Sequence, residues 1–399
     1  MRYVEIELMQ AVFFHDHKIY KNNDALLSRG GLSPLIISEY RARFGGLTIC
    51  SRSLDNPPQN YVVLAAEGIN HIVFPDVLGK DLFQFIKAFR VVKSLLRHQP
   101  FVIARLPSVS GILACFLSRK SQANIIIELA GCPFDSYWHY GNLKGKILAP
   151  IMYLAVRYFV GKGKNVSYVT KEFLQRRYPT KAQNILSISD ATIYLDQQVI
   201  TKRINRFQTI PLDHIRLGMI GNYEMSYKGY DVAFKALHLL ETEYPGKYSL
   251  SLVGGGSENV LREMAKKKGL DHCIFFEGVK SYPQGVFDWF DEIDIFLQPS
   301  KLEGLPRALI EALSRGCAAL GSSVGGIPEL LRPEFLIKPK DFSRLAQLIE
   351  QLSVKSQLID VSKQNFEHAK KYDLKALSTA RHNFHLKAIS KDYLVNNQT

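Results

Sequence analysis

Two glutamates and a lysine are the residues of this chain best suited to chemistry. Glu303 and Glu311 lie in Gln298-Pro-Ser-Lys-Leu-Glu303-Gly304-Leu305-Pro306-Arg-Ala-Leu-Ile-Glu311-Ala-Leu-Ser-Arg-Gly316. The stretch reads as a strand end, a tight turn and a helix. Asp294-Ile-Phe-Leu is an apolar run of the buried-strand kind. Pro306 suits the first helical position, where its missing N–H costs nothing. Leu309, Ile310 and Leu313 give the helix an apolar face, and Gly316 ends it. A helix that opens on a glycine turn after a parallel strand offers unpaired N–H groups and a partial positive charge, which suits a phosphate. Glu311 is expected about 9 Å along the helix, at ~1.5 Å per residue, close to the reach from a diphosphate to its ribose. A carboxylate accepts paired hydrogen bonds from a sugar diol. The residues therefore suit a nucleotide sugar, with phosphate at the turn, ribose on Glu311 and the transferred sugar on Glu303. An ordinary turn with two surface glutamates is the plainer alternative. Lys228 follows a strand that ends in Gly221 and a loop over Asn222–Tyr227, and it opens a helix with Gly229. There it is either a point charge for a phosphate or a surface lysine.

The elements that must hold these residues alternate along the chain. Apolar strand-like runs at Val4–Phe14, Leu47–Ser51, Tyr61–Ala65, His71–Phe74, Phe101–Pro107, Asn124–Gly131 and Asn165–Thr170 are separated by helical patterns. A second series begins at His214–Gly221 and continues through Tyr248–Val253, Cys273–Phe276, Asp294–Leu297, Ala318–Ser322 and Phe335–Ile337. Strands alternating with helices imply βαβ units and a parallel sheet. The expected division is an N-terminal domain over 1–207, a C-terminal domain over 208–371 and a terminal helix over 372–399 packing back on the first domain. The polar stretch Asp196–Thr209 reads as the linker.

In the first half, ligand-binding candidates sit past strand ends, where open α/β sheets bind. They are Gly30-Gly31 before a helix, Arg105, Glu128, and Asp135 in a polar loop over Cys132–Asn142 that also holds His139. His15-Asp16-His17 follows the first strand and reads equally as a site or a solvated loop. Lys144–Lys164 combines apolar residues with basic ends. That fits a membrane-surface patch, and it fits a core helix with solvated lysines at least as well.

Composition limits the field. The chain has 399 residues, 46% of them hydrophobic, which favours two soluble globular domains. Its five cysteines are scattered without a C-x-x-C pair, pointing to a reducing compartment and no zinc site. The start lacks a signal-peptide pattern, and no apolar run reaches the ~20 residues of a membrane span. The expected location is cytoplasmic. A net charge of +14 favours an anionic partner. No nucleic-acid motif is present, so a phosphate-bearing substrate or an anionic membrane is expected and nucleic acid is not.

Seven ordered features make the second half resemble the retaining glycosyltransferases of family 4, which have the GT-B fold. They are the glycine-turn strand, Lys228-Gly229, Gly254-x-Gly256, Phe276-Glu-Gly278, Asp294 to Ser300, Glu303-Gly-x-Pro with Glu311, and Gly325-Gly326-Ile-Pro328-Glu329. Gly30-Gly31, Arg105-Leu-Pro-Ser and Tyr168 to Pro179 look more loosely like members that build bacterial surface polysaccharides. The resemblance implies two Rossmann-like domains across a cleft. It implies a UDP- or GDP-linked donor held mainly by the second domain, at Gly221, Asn222, Lys228, Glu303, Gly304, Leu305, Pro306 and Glu311. It implies a lipid-linked or oligosaccharide acceptor on the first domain and a peripheral position at the inner membrane face. The implied reaction needs no cofactor and no metal. Lys228 and the N–H groups of Gly304 and Leu305 would stabilise the leaving diphosphate, and Asp-x-Asp is absent. Same-face attack would let the departing phosphate take the acceptor proton. Two departures stand out. Asn222 replaces an arginine frequent in the family, and no histidine stands where the Glu128 strand ends. A sugar-nucleotide epimerase on the same fold and a non-catalytic nucleotide-sugar-binding module are the alternatives.

Overall fold

The computed structural model describes residues 10–23, 25–28, 32–57, 61–65, 68–77, 82–121, 123–138, 143–209 and 211–396, with side chains to 389. The chain forms two compact units, Met1–Asp190 with Leu377–Thr399, and Ala191–Ala376.

The first unit runs β1 (Gln10–Asn22), β2 (Ala25–Ser28), α1 (Pro34–Phe44), β3 (Gly46–Ser53), β4 (Val62–Ala65), β5 (Ile69–Val73), α2 (Leu82–His98), β6 (Phe101–Leu106), α3 (Val109–Ser118), β7 (Asn124–Leu129), α4 (Pro133–Trp138), α5 (Leu143–Lys162), β8 (Asn165–Tyr168), α6 (Phe173–Arg177) and β9 (Asn184–Ser187). Strands β5, β3, β1, β6, β7, β8 and β9 lie side by side and parallel. Helices cover such a sheet on both faces, so its strands are apolar without alternation. All six residues of β6 are buried. The first strand does not stop at Phe14 as expected. Its pairing with β6 ends there, and its parallel pairing with β3 slips register over His15-Asp16-His17 and resumes at Lys18 and Ile19. The strand then pairs antiparallel with β2.

The second unit runs α7 (Gln197–Thr209), β10 (Ile215–Ile220), α8 (Tyr230–Glu243), β11 (Tyr248–Val253), α9 (Asn259–Lys267), β12 (Ile274–Gly278), α10 (Gln284–Glu292), β13 (Ile295–Gln298), α11 (Arg307–Ser314), β14 (Ala318–Ser322), β15 (Leu336–Ile337), α12 (Phe342–Leu352) and α13 (Lys355–Ala369). The last helix, α14 (Leu374–Asn396), packs with the first unit from Leu377 onward, and Phe384 and Ala388 sit in that unit's core. The second sheet is parallel, in the order β12-β11-β10-β13-β14-β15. That is the 3-2-1-4-5-6 order of a doubly wound sheet, whose ligand crevice opens between its first and fourth strands.

The expected linker is a helix. Ile200, Arg203 and Phe207 recur at helical spacing and are buried, Phe207 in the core of the second unit. The Arg203 guanidinium donates to the carbonyls of Arg315, Ile293 and Phe290 at 2.7, 2.6 and 2.6 Å. These carbonyls lie at the ends of α10 and α11, where backbone acceptors outnumber intrahelical donors. A polar composition concealed the amphipathic period. The unit boundary therefore falls before this helix, not at 207/208. Two smaller differences follow the same pattern. The loop expected over Cys132–Asn142 contains the short helix α4, and the helix expected after Gly326 is only a 3-10 turn, Ile327–Glu329.

Candidate active site

Lys228 and Glu303 flank the switch point of the second sheet, past the carboxyl ends of β10 and β13. Their loops are fastened to each other. Gly229 has φ +81°, and a Cβ there would stand 2.1 Å from the Pro299 carbonyl oxygen, so only glycine fits. The Lys301 N–H donates to the Tyr227 carbonyl at 2.7 Å, and Lys301 Nζ donates to Asp231 Oδ1 at 2.8 Å. This brings Lys228 Nζ to 2.8 Å from Glu303 Oε1. Gln298 Nε2 and Ser300 Oγ donate to the same oxygen at 2.8 and 2.9 Å. Oε2 of Glu303 has no hydrogen-bond partner among the described residues. One face of the carboxylate is thus fixed and the other is open to a hydroxyl donor.

The turn after Glu303 is held from a second side. Gly326 N–H donates to the Gly304 carbonyl at 2.6 Å. Gly325 has φ +58°, and a Cβ there would stand 2.1 Å from the Glu303 carbonyl oxygen. The N–H groups of Gly304 and Leu305 make no hydrogen bond among the described residues. Pro306 stands one position earlier than expected. It is the N-cap, at φ −71° and ψ 113°, and α11 begins at Arg307 with no side-chain cap. Glu311 is then about 6 Å past the helix start, at ~1.5 Å per residue. Its side chain is buried, which pushes its carboxyl above the usual carboxylate range, while Arg307 and the Tyr282 hydroxyl pull the other way. Tyr282 is itself tied to Thr192 Oγ1 at 2.8 Å.

Gly221 leaves room for the lysine. A Cβ there would meet Cγ, Cδ and Cε of Lys228 at 3.2 Å. Asn222 carries no charge to the site, and its Oδ1 accepts from the Glu224 N–H at 2.8 Å, an Asx turn that shapes the loop. Sequence reasoning gave Arg307, Gln298 and Ser300 no role, although all three lie in the stretch singled out. Arg307 makes no ion pair among the described residues. The one grouping of potential metal ligands among the described residues is Glu241, His272 and Cys273. It lies at the amino end of β12, the edge of the sheet opposite Lys228 and Glu303. Burial pushes the Cys273 thiol up to about 12.

In the first unit the candidates separate into distinct groups. Arg105 and Glu128 face each other across β6 and β7, and both are buried. Arg105 donates to Glu128 Oε2 at 3.2 Å and to Asp190, and the Tyr40 hydroxyl donates to Glu128 Oε1 at 2.6 Å. Both carboxylate oxygens of Glu128 are taken. Asp135 lies on α4 and pairs with Arg177 at 2.7 Å. Asp16 accepts from the N–H groups of Val109 and Ser110 at 2.6 and 3.0 Å and from Ser110 Oγ at 2.7 Å. It occupies the N-terminus of α3 that a phosphate would otherwise suit. Burial, then Arg105 and His17, hold His15 well below its ordinary value, so it is neutral. Gly30, Gly31 and His139 lie outside the described residues.

The profile described as glycosyl transferases group 1 matches residues 214–354, the segment that carries Lys228, Glu303 and Glu311. Protein CapJ of Staphylococcus aureus is 31% identical over 348 residues, spanning 86% of this chain and 85% of the relative. The amylovoran biosynthesis glycosyltransferase AmsK of Erwinia amylovora is 32% identical over 136 residues, a third of each chain. Among solved structures, HepE of Anabaena in complex with UDP-glucose aligns over 95% of this chain and 100% of its own, at a TM-score of 0.67 and 15% identity. The fold is GT-B, with helices and strands interleaved around two largely parallel sheets. The chain belongs to the group 1 glycosyltransferases.

Proposed function

We propose that the protein moves a sugar, with retention and without a metal, from a UDP- or GDP-linked donor to a lipid-linked or oligosaccharide acceptor. The product would enter a surface polysaccharide such as a capsule, O-antigen or exopolysaccharide, made on the cytoplasmic side of the membrane. The observation that carries the reading is the Lys228–Glu303 pair at the switch point, with unpaired N–H groups at Gly304 and Leu305 and a buried Glu311 beyond. The family supports transfer, AmsK supports polysaccharide synthesis, and HepE with UDP-glucose supports the donor class.

In this reading the diphosphate lies against the Gly304 and Leu305 N–H groups and the first turn of α11. Lys228, backed by Gly221, neutralises charge as it develops on the leaving oxygen. Arg307 supplies the positive charge that Asn222 does not. Glu303 Oε2 accepts from hydroxyls of the transferred sugar, and Glu311 accepts from the ribose. Asn222 and Pro306 shape the loops around the donor. The departing phosphate takes the acceptor proton. On the acceptor side, Gly30, Gly31 and Asp135 contact the acceptor, and the Arg105–Glu128 pair positions the strand ends beneath it.

A thermal-shift series with UDP- and GDP-sugars tests the donor, since a ligand at ~100 times its Kd stabilises by about 2.7 kcal/mol. Nucleotide release in the presence of membrane lipid extract then tests turnover. Glu303→Gln and Lys228→Ala should each lower turnover ~100-fold or more, and EDTA should leave it unchanged. Full activity of both variants, or no stabilisation by any nucleotide sugar, would overturn the reading.

A further inference from the structure

One face of the first unit combines exposed apolar side chains with basic ones. Helices α2, α3 and α5 pack side by side, α2 against α3 and α3 against α5. Helix α5 buries Gly145, Ala149, Met152, Val156 and Val160 on one side. On the opposite side Leu143, Ile147, Ile151, Leu154 and Tyr158 are 45–73% exposed. At ~100° per residue the exposed five span about 80° of the helix. Lys144 and Lys162 then border the stripe on one edge, and Lys146 and Arg157 on the other. Phe116 on α3 and Leu82, Phe85 and Ile86 on α2 extend the exposed apolar surface. A helix apolar on all sides normally has a partner on all sides.

Charge indicates which partner. There are four lysines and arginines in α2, two just after α3 at 119–120, and five across residues 143–164, eleven in all, with no Asp or Glu in any of these segments. We propose that this face docks the protein on an anionic lipid bilayer. Leu143, Ile147, Ile151, Leu154 and Tyr158 enter the boundary between headgroups and acyl chains, and the bordering cations meet the lipid phosphates. No helix among the described residues is long and apolar enough to cross a membrane, so the contact is peripheral. A second copy of this chain is a poor occupant, because two faces built from these segments, with eleven cations and no Asp or Glu among them, repel each other. A polyanion without apolar surface would leave the stripe in water. The inference deepens the proposed function, since a lipid-linked acceptor is met at a bilayer.

The test is co-sedimentation of the full chain with vesicles of mixed phosphatidylcholine and phosphatidylglycerol, against phosphatidylcholine alone. Binding is expected to the mixed vesicles and to weaken as salt is raised. Lys144→Glu with Lys146→Glu should weaken it, by about fivefold for each cation lost from the surface. Ile147→Asp with Leu154→Asp should weaken it by tenfold or more while leaving the circular dichroism spectrum and nucleotide-sugar hydrolysis unchanged, because both positions face solvent. Hydrolysis is read separately from vesicle binding, so this inference and the proposed function can fail independently. Equal binding to both vesicles, binding to neither, or variants that bind like the parent would overturn it. So would a concentration-dependent dimer that Ile147→Asp with Leu154→Asp dissolves, or capture of an acidic protein by the same face in place of vesicles.

Discussion

Glu311 shows how burial and function interact at a single residue. Its carboxyl is buried on α11 and titrates above the usual carboxylate range, with burial the main cause. The ribose contact proposed for it needs the ionised form, which accepts two hydrogen bonds. Donor affinity should therefore fall on acidification, and the fall should begin at a higher pH than an exposed glutamate would give. Isothermal titration of a UDP-sugar across pH measures this. Glu311→Gln should remove that limb of the profile along with much of the affinity. Arg307 lowers the Glu311 value. Arg307→Ala should therefore move the limb to still higher pH, and an unmoved limb would count against the coupling.

At the scale of elements, α7 ties together the second unit and α14 the first. Arg203 on α7 is buried and satisfies three carbonyls at the ends of α10 and α11. Arg203→Ala takes this donor from the buried carbonyls of Arg315 and Ile293, while the Phe290 carbonyl keeps the Ile293 N–H at 3.2 Å. The expected cost is on the order of 4 kcal/mol, read as a lowered midpoint in urea unfolding. Lysine cannot reach all three and should recover less than half. Helix α14 is tied to the first sheet by a row of buried asparagines. Asn165 donates to Asn124 at 3.2 Å and Asn184 donates to Asn165 at 3.0 Å. At the ends of the row, Asn124 and Asn184 donate to the carbonyls of Ala388 and Phe384 at 2.5 and 2.9 Å. Asn165→Ala breaks the row at its centre and should cost about 1–3 kcal/mol.

For the molecule as a whole, the two units should respond differently to acid. His385 on α14 is buried in the first unit against Tyr40 and Phe44. Burial, then Arg43, Arg381 and His382, hold its pKa well below 6.5. Arg43 donates to His385 Nδ1 at 3.0 Å, so that nitrogen must be unprotonated. Below about pH 6.5 the unfolded chain takes up a proton that the folded unit refuses, so stability falls as pH falls, by up to ~1.4 kcal/mol per pH unit for each such histidine. His15 adds in the same direction. A thermal melt at decreasing pH should show the first unit weakening, and His385→Leu should flatten the dependence.

The sequence by itself determined the alternation of strands and helices and the order of motifs in the second half that carries Lys228, Glu303 and Glu311. Those signals are local. A glycine that must adopt positive φ, a proline beside a helix start and a glutamate eight residues from another keep their meaning without the rest of the chain. Only the tertiary structure decided what each side chain meets. Arg105 and Glu128 read as open ligands and proved to be each other's partners across a sheet, because register across strands is invisible in one strand's sequence. The polar stretch Asp196–Thr209 read as a linker and proved to be a helix, because the carbonyls that Arg203 answers come from residues 290–315. Lys144–Lys164 read either as a membrane-surface patch or as a core helix with solvated lysines, and only packing separated the stripe that fills the core from the stripe that remains exposed.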